Sequence, residues 1–171
     1  ASPRGALLLV HGRRWSSLPN FDLHTRGEQR SVMDALAAKG FAAYAVDMRG
    51  YGATAGDSTG WITPGRAAAD LAAVLDWIAR QEGGTRPSLL GYSRGSTVAL
   101  VAAQRYPEKL STLILYAFPV DIDAKRPVAD DPISPPRVRN TREGAGEDFI
   151  TPNAASAALR GAFVCAGSAA G

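Results

Sequence analysis

Four short apolar runs, separated by segments of helical periodicity, constrain the fold of this 171-residue chain more than anything else in it. They span residues 6–11, 41–47, 88–92 and 112–117. Each is nearly continuous rather than alternating, the pattern of strands covered on both faces. The first helical segment is expected over residues 26–39, with Thr25 and Glu28 as a capping box, Val32, Met33 and Leu36 as an apolar stripe and Gly40 at its end. The second has Thr63 as N-cap and Pro64 at the first helical position. It presents Leu71, Val74, Leu75 and Ile78 and stops at Gly83-Gly84. The third runs over 96–106, carries Val98, Val101 and Ala102, and ends before Pro107. The order β-α-β-α-β-α-β predicts an α/β fold, a doubly wound, mostly parallel sheet with helices on both faces.

Bulk properties narrow the function. The length suits one well-buried core. With 46% apolar and 20% charged residues, the composition is that of a globular chain. No apolar stretch approaches the roughly 18 residues of a membrane span, and no signal-peptide pattern opens the chain. Sixteen Arg against three Lys could point to nucleic acid, but they are interleaved with 16 acidic residues to a net charge of only +3. Without a basic stripe or a recognition motif, a nucleic-acid partner is not expected. The single cysteine, Cys165, excludes an internal disulfide and a Cys-based zinc site. Neither a metal nor another cofactor is expected.

The segment Gly91-Tyr92-Ser93-Arg94-Gly95 carries the chemistry. A Gly-x-Ser-x-Gly between a strand and a helix forces a turn so tight that its central residue takes a strained backbone conformation. The residues two before and two after must be small, because strand and helix nearly collide there. Such a turn lifts a serine hydroxyl clear of the sheet. An oxyanion formed on serine attack needs two positioned N–H donors. One is the backbone amide after the serine, here Arg94, at a helix N-terminus whose dipole favours negative charge. The other is expected after the first strand, where His11-Gly12 lets the chain turn the Arg13 amide toward the site.

His11-Gly12, Asp47-Met48-Arg49-Gly50-Tyr51-Gly52 and Gly91-Tyr92-Ser93-Arg94-Gly95, in this order across residues 6–118, resemble the α/β-hydrolase superfamily of serine esterases and lipases. The resemblance implies Ser93 as nucleophile and the Arg13 and Arg94 amides as the oxyanion hole. His11, Gly12, Gly91 and Gly95 would be motif residues that shape the two turns, and Asp47 a structural turn residue. It also implies a core over residues 1–120 and the start of a lid over 121–171. Residues 119–152 hold six of the eleven prolines, and 154–164 read as a short helix. The implied substrate is a small-molecule ester or acyl compound.

The chain departs from that family in one respect. The superfamily order is Ser, then Asp or Glu, then His, yet both histidines here, His11 and His24, precede Ser93. The strands that would carry acid and histidine do not follow, and the chain reads as a piece of a longer hydrolase. His24 is expected at a helix entrance on the loop side of the sheet, and His11 as a loop-shaping residue. Asp121 is the candidate acid among the residues after the fourth strand. Arg13, Arg14 and Arg94 are expected near the site, as solvated cations or as partners for an anionic substrate. Trp15, Tyr51, Trp61 and Tyr92 are candidate acyl-pocket walls or core. Three functions fit: an ester hydrolase acting through an acyl-enzyme, a non-catalytic binding module of the same fold, or an acyltransferase or peptidase. Compartment and oligomeric state are not legible.

Overall fold

Strand β1 (Ala6–Val10) is buried along its whole length, and its side chains alternate between two apolar layers. Ala6, Leu8 and Val10 enter a large core with Leu89, with Leu71, Leu75 and Ile78 of helix α3 (Pro64–Gln81), and with Val98, Ala99 and Ala102 of helix α4 (Arg94–Arg105). Leu7 and Leu9 enter a smaller one with Phe21 of helix α1 (Ser17–Phe21) and with Met33 and Leu36 of helix α2 (Val32–Ala38). A strand sandwiched this way has no polar face, which is why its sequence does not alternate.

The computed structural model of the chain describes residues 3–60, 62–119, 141, 143–144 and 156–168. Strands β4 (Ala42–Val46) and β5 (Ser88–Tyr92) flank β1, and β6 (Leu113–Tyr116) follows β5. The sheet order is β4-β1-β5-β6, with every pairing parallel. Helices cover both faces, so the expected α/β, doubly wound parallel architecture is present. All four strands fall inside the apolar runs. β6 lies at one edge, where Ile114, Leu115 and Tyr116 stay exposed.

The second helical segment matches its caps. Thr63 accepts a hydrogen bond from the Arg66 amide at 3.3 Å, with Pro64 beginning α3. Past its end, Gly83 and Gly84 have φ of +65° and +90°. The first helical segment needs correction. Thr25 and Glu28 do not cap a helix but face each other across a small antiparallel ribbon, β2 (His24–Thr25) and β3 (Glu28–Gln29). Gly27, at φ +82°, makes the reversal that ends any helix at 26. The helix starts six residues later. Ser31 is its N-cap and accepts from the Asp34 amide at 2.9 Å, the same Ser-x-x-acid chemistry displaced along the chain. Val32, expected in the buried stripe, is exposed. The helix expected at 154–164 is α5 (Ala157–Ser168), which lies against α1 and β2. The Ser156 hydroxyl just before it donates to the Glu28 carboxylate.

Candidate active site

Ser93 stands alone between the end of β5 and the start of α4, with φ 53° and ψ −119°. Two hydrogen bonds hold this unfavourable conformation. The Ser93 amide donates to the Tyr116 carbonyl at 2.9 Å, and the Ser93 carbonyl accepts from the Ser96 amide at 2.9 Å. The flanking glycines are sterically required. A Cβ at Gly91 would lie 2.5 Å from the Gly95 carbonyl oxygen and from Ser96 Cα, and one at Gly95 would lie 2.5 Å from the His11 carbonyl oxygen. Ser96 braces the turn from behind. Fully buried, its hydroxyl is shared between the carbonyls of Gly91 (2.6 Å) and Tyr116 (2.9 Å). The Ser93 Oγ has no hydrogen-bond partner among the described residues.

The His-Gly turn passes directly beside this serine. A Cβ at Gly12 would lie 3.5 Å from Ser93 Cβ and 3.4 Å from the Tyr92 ring. His11 is wholly buried, with both ring nitrogens engaged. Its Nε2 accepts from the Met48 amide at 3.0 Å. The ring proton therefore sits on Nδ1, which donates to the Gly12 carbonyl at 2.7 Å. Burial pushes the imidazole pKa down, against smaller raising effects of the Gly12 carbonyl and the Asp47 charge. His11 is a neutral crosslink between two loops, with no lone pair left to take a serine proton. Asp47 is equally committed, accepting from the Ser17 amide (2.7 Å) and hydroxyl (2.6 Å) at the start of α1.

A cavity of about 830 Å³ opens at Ser93. Leu9 and Leu90 of the sheet form its floor, with Trp15, Pro19, Phe21, Val32, Tyr92 and Tyr116 around it and Asn20 as a polar wall residue. Arg13 and Arg14 reach its rim. Arg94 supplies the first amide of α4, one of those left without an intrahelical partner, but its side chain does not line the cavity, contrary to the expected convergence of three arginines. Of the expected aromatic walls, Trp15 and Tyr92 line it. Tyr51 instead packs at a tilt against His11, ring centroids 4.5 Å apart and planes 55° apart. Trp61 and the candidate acid Asp121 lie outside the described residues.

No histidine or carboxylate lines the cavity among the described residues. His24 is exposed on β2, paired with Asp22 at 3.1 Å and 3.7 Å from Asp34. None of these three residues lines the cavity. The sequence reading missed α1, five residues with a proline inside, too short for periodicity to register. It also missed Ser96 and Tyr116. Only their positions, one residue beyond the glycine motif and at the end of β6, could have marked them.

A polar hydroxyl on a strained turn, two backbone turns converging on it, a helix N-terminus and an apolar cavity form an arrangement that can support acyl transfer chemistry. The family model described as Serine aminopeptidase, S33 matches residues 1–138. Among solved structures, a thermostable carboxyl esterase from Bacillus coagulans is similar at 25% identity and TM-score 0.54, over 67% of this chain and 36% of that one. An esterase from Exiguobacterium antarcticum is similar at 25% identity and TM-score 0.52, over 67% of this chain and 38% of the other. The α/β hydrolase GrgF from Penicillium sp. sh18, at 20% identity and TM-score 0.52, shares the fold over 67% of this chain and 37% of its own. The chain thus spans less than two fifths of the length of each of these structures. No curated protein matches it. With a family match over residues 1–138 and a parallel sheet that carries the serine turn, the chain belongs to the serine aminopeptidase S33 family of α/β-hydrolases.

Proposed function

We propose that this chain is the nucleophile-bearing part of a serine hydrolase that cleaves carboxylic esters through an acyl-enzyme on Ser93. The observation that carries this reading is the backbone of Ser93, φ 53° at the junction of β5 and α4, with Ser93 among the residues that line the cavity. The similarity to two esterases supports the substrate class. In this mechanism Ser93 Oγ adds to the ester carbonyl while its proton passes to a histidine. The amides of Arg13 and Arg94 bind the oxyanion, the alcohol leaves with that proton, and water then releases the acid. The base is a histidine other than His11 or His24, since His11 has both nitrogens engaged and His24 is absent from the cavity lining. The catalytic acid is unassigned, with Asp121 the candidate. Residues 1–120 act as the hydrolase core and 121–171 as the start of its lid. The family description supports amide or peptide substrates as an alternative acyl donor.

A second reading follows from the same missing base: the chain binds an acyl compound and turns nothing over. Labelling with a fluorophosphonate probe and p-nitrophenyl acetate turnover separate the two, with Ser93→Ala as control. Labelling and turnover that disappear in the variant support the hydrolase. A protein that holds the base histidine yet neither labels nor turns over counts against it and favours the binding module.

A further inference from the structure

The Asp47–Gly52 segment does more than turn the chain. It touches the β1–α1 loop at two points and the start of α1 at a third: the Met48 amide on His11 Nε2 (3.0 Å), the Tyr51 hydroxyl on the Arg13 carbonyl (2.6 Å), and the Asp47 carboxylate on the Ser17 amide (2.7 Å). The segment is itself stiff. Tyr51 N–H donates to the Met48 carbonyl at 2.9 Å, and Thr54 N–H to the Tyr51 carbonyl at 2.9 Å. Arg49 grips Asp70 of α3 through two bonds of 3.0 and 2.6 Å.

Peptide geometry gives these contacts a direction. All described peptides are trans, so C=O and N–H of one unit point opposite ways. His11 draws the Gly12 carbonyl toward the core, which turns the Arg13 N–H of that same peptide away from the core. Tyr51 holds the next carbonyl, that of Arg13, with its hydroxyl while its ring packs on His11. Both peptide planes flanking Arg13 are thereby pinned. We propose that Tyr51 is a positioning residue for the oxyanion hole, acting on the Arg13 amide through the Arg13 carbonyl and the His11 ring. This rests on the reading of the Arg13 amide as an oxyanion donor. Preorganisation of such a donor matters because the charge it meets develops only in the transition state.

The test compares the full chain with Tyr51→Phe, which keeps the ring on His11 and removes only the hydroxyl. Tyr44→Phe is the control: it removes a hydroxyl bond of the same 2.6 Å length, to Glu82, on another strand. Backbone ¹⁵N order parameters are expected near the rigid value of about 0.85 at Arg13 and Arg14 in the parent and below about 0.6 in Tyr51→Phe, with Tyr44→Phe unchanged. For p-nitrophenyl acetate, kcat is expected to fall on the order of tenfold with KM held, the signature of a donor misplaced only in the transition state. Unchanged order parameters overturn the proposal, as does a loosened loop with unchanged kcat or equal effects of Tyr44→Phe. A parent that shows no turnover even with the base histidine supplied sinks the ester-hydrolase reading alone, and the order parameters then decide the positioning role.

Discussion

Replacing Ser93 by glycine should stabilise this protein while removing the hydroxyl. A non-glycine residue in a sparsely populated backbone region costs about 1–3 kcal/mol, and Ser93 sits at φ 53°, ψ −119°. The conformation cannot relax, because the Ser93 amide is held by the Tyr116 carbonyl and its carbonyl by the Ser96 amide. Ser93→Ala keeps the Cβ and hence the strain. It loses only a hydroxyl that has no partner among the described residues, so its stability should stay near the parent's. Ser93→Gly removes the strain but frees the unfolded chain, at a cost of about 0.4–1 kcal/mol. The net advantage of Gly over Ala is about 1 kcal/mol, or about 2–4 °C in Tm for a chain of this size. Thermal melts followed by circular dichroism, with urea titrations alongside, measure it. A glycine variant melting at or below the alanine variant would refute the argument that the turn stores backbone strain.

Three further perturbations bear on the same region. Gly95→Ala should cost about 3 kcal/mol, because its Cβ meets the backbone carbonyl of His11, which cannot rotate aside; a Tm drop of about 6 °C or more is the expected reading. Ser96→Ala strips a buried hydroxyl from two carbonyls and should cost about 1–2 kcal/mol in urea unfolding, with a loss below a few tenths arguing against a bracing role. His11 makes stability pH-dependent: the unfolded imidazole takes up a proton near its ordinary pKa of about 6.5, whereas burial holds the folded one neutral to lower pH. Unfolding therefore binds a proton in the window below about 6.5, so His11's contribution is complete above that pH and is lost as pH falls toward the lowered value. Urea midpoints at a series of pH values should show this slope.

Legibility in the sequence followed length and chemistry. α3 could be read to its caps because Thr63-Pro64 and Gly83-Gly84 are unambiguous punctuation around eighteen residues of amphipathic pattern. β1 was legible because a doubly covered strand needs apolar residues throughout. The start of α2 was misplaced because Thr25 and Ser31 offer similar capping chemistry. Only the reversal at Gly27 chooses between them, and that reversal serves a ribbon too short for any periodic signal. At the site, the glycine spacing announced the serine turn, since close approach of backbones admits no other residue at 91 and 95. The role of Tyr51 could not be read, because its hydroxyl reaches a carbonyl 38 residues away and a tyrosine there looks equally suited to a pocket wall.

The Tyr116 carbonyl, which receives both the Ser93 amide and the Ser96 hydroxyl, has a consequence for the order of folding. The serine turn is encoded locally, but one of the two hydrogen bonds that hold it comes from a strand that enters the sheet later in the chain. Until β6 docks on β5, nothing from β6 opposes relaxation of Ser93 into ordinary backbone. The Ser93 conformation is therefore fully held only once β6 has docked on β5. β6 is in that sense the safety catch of the site.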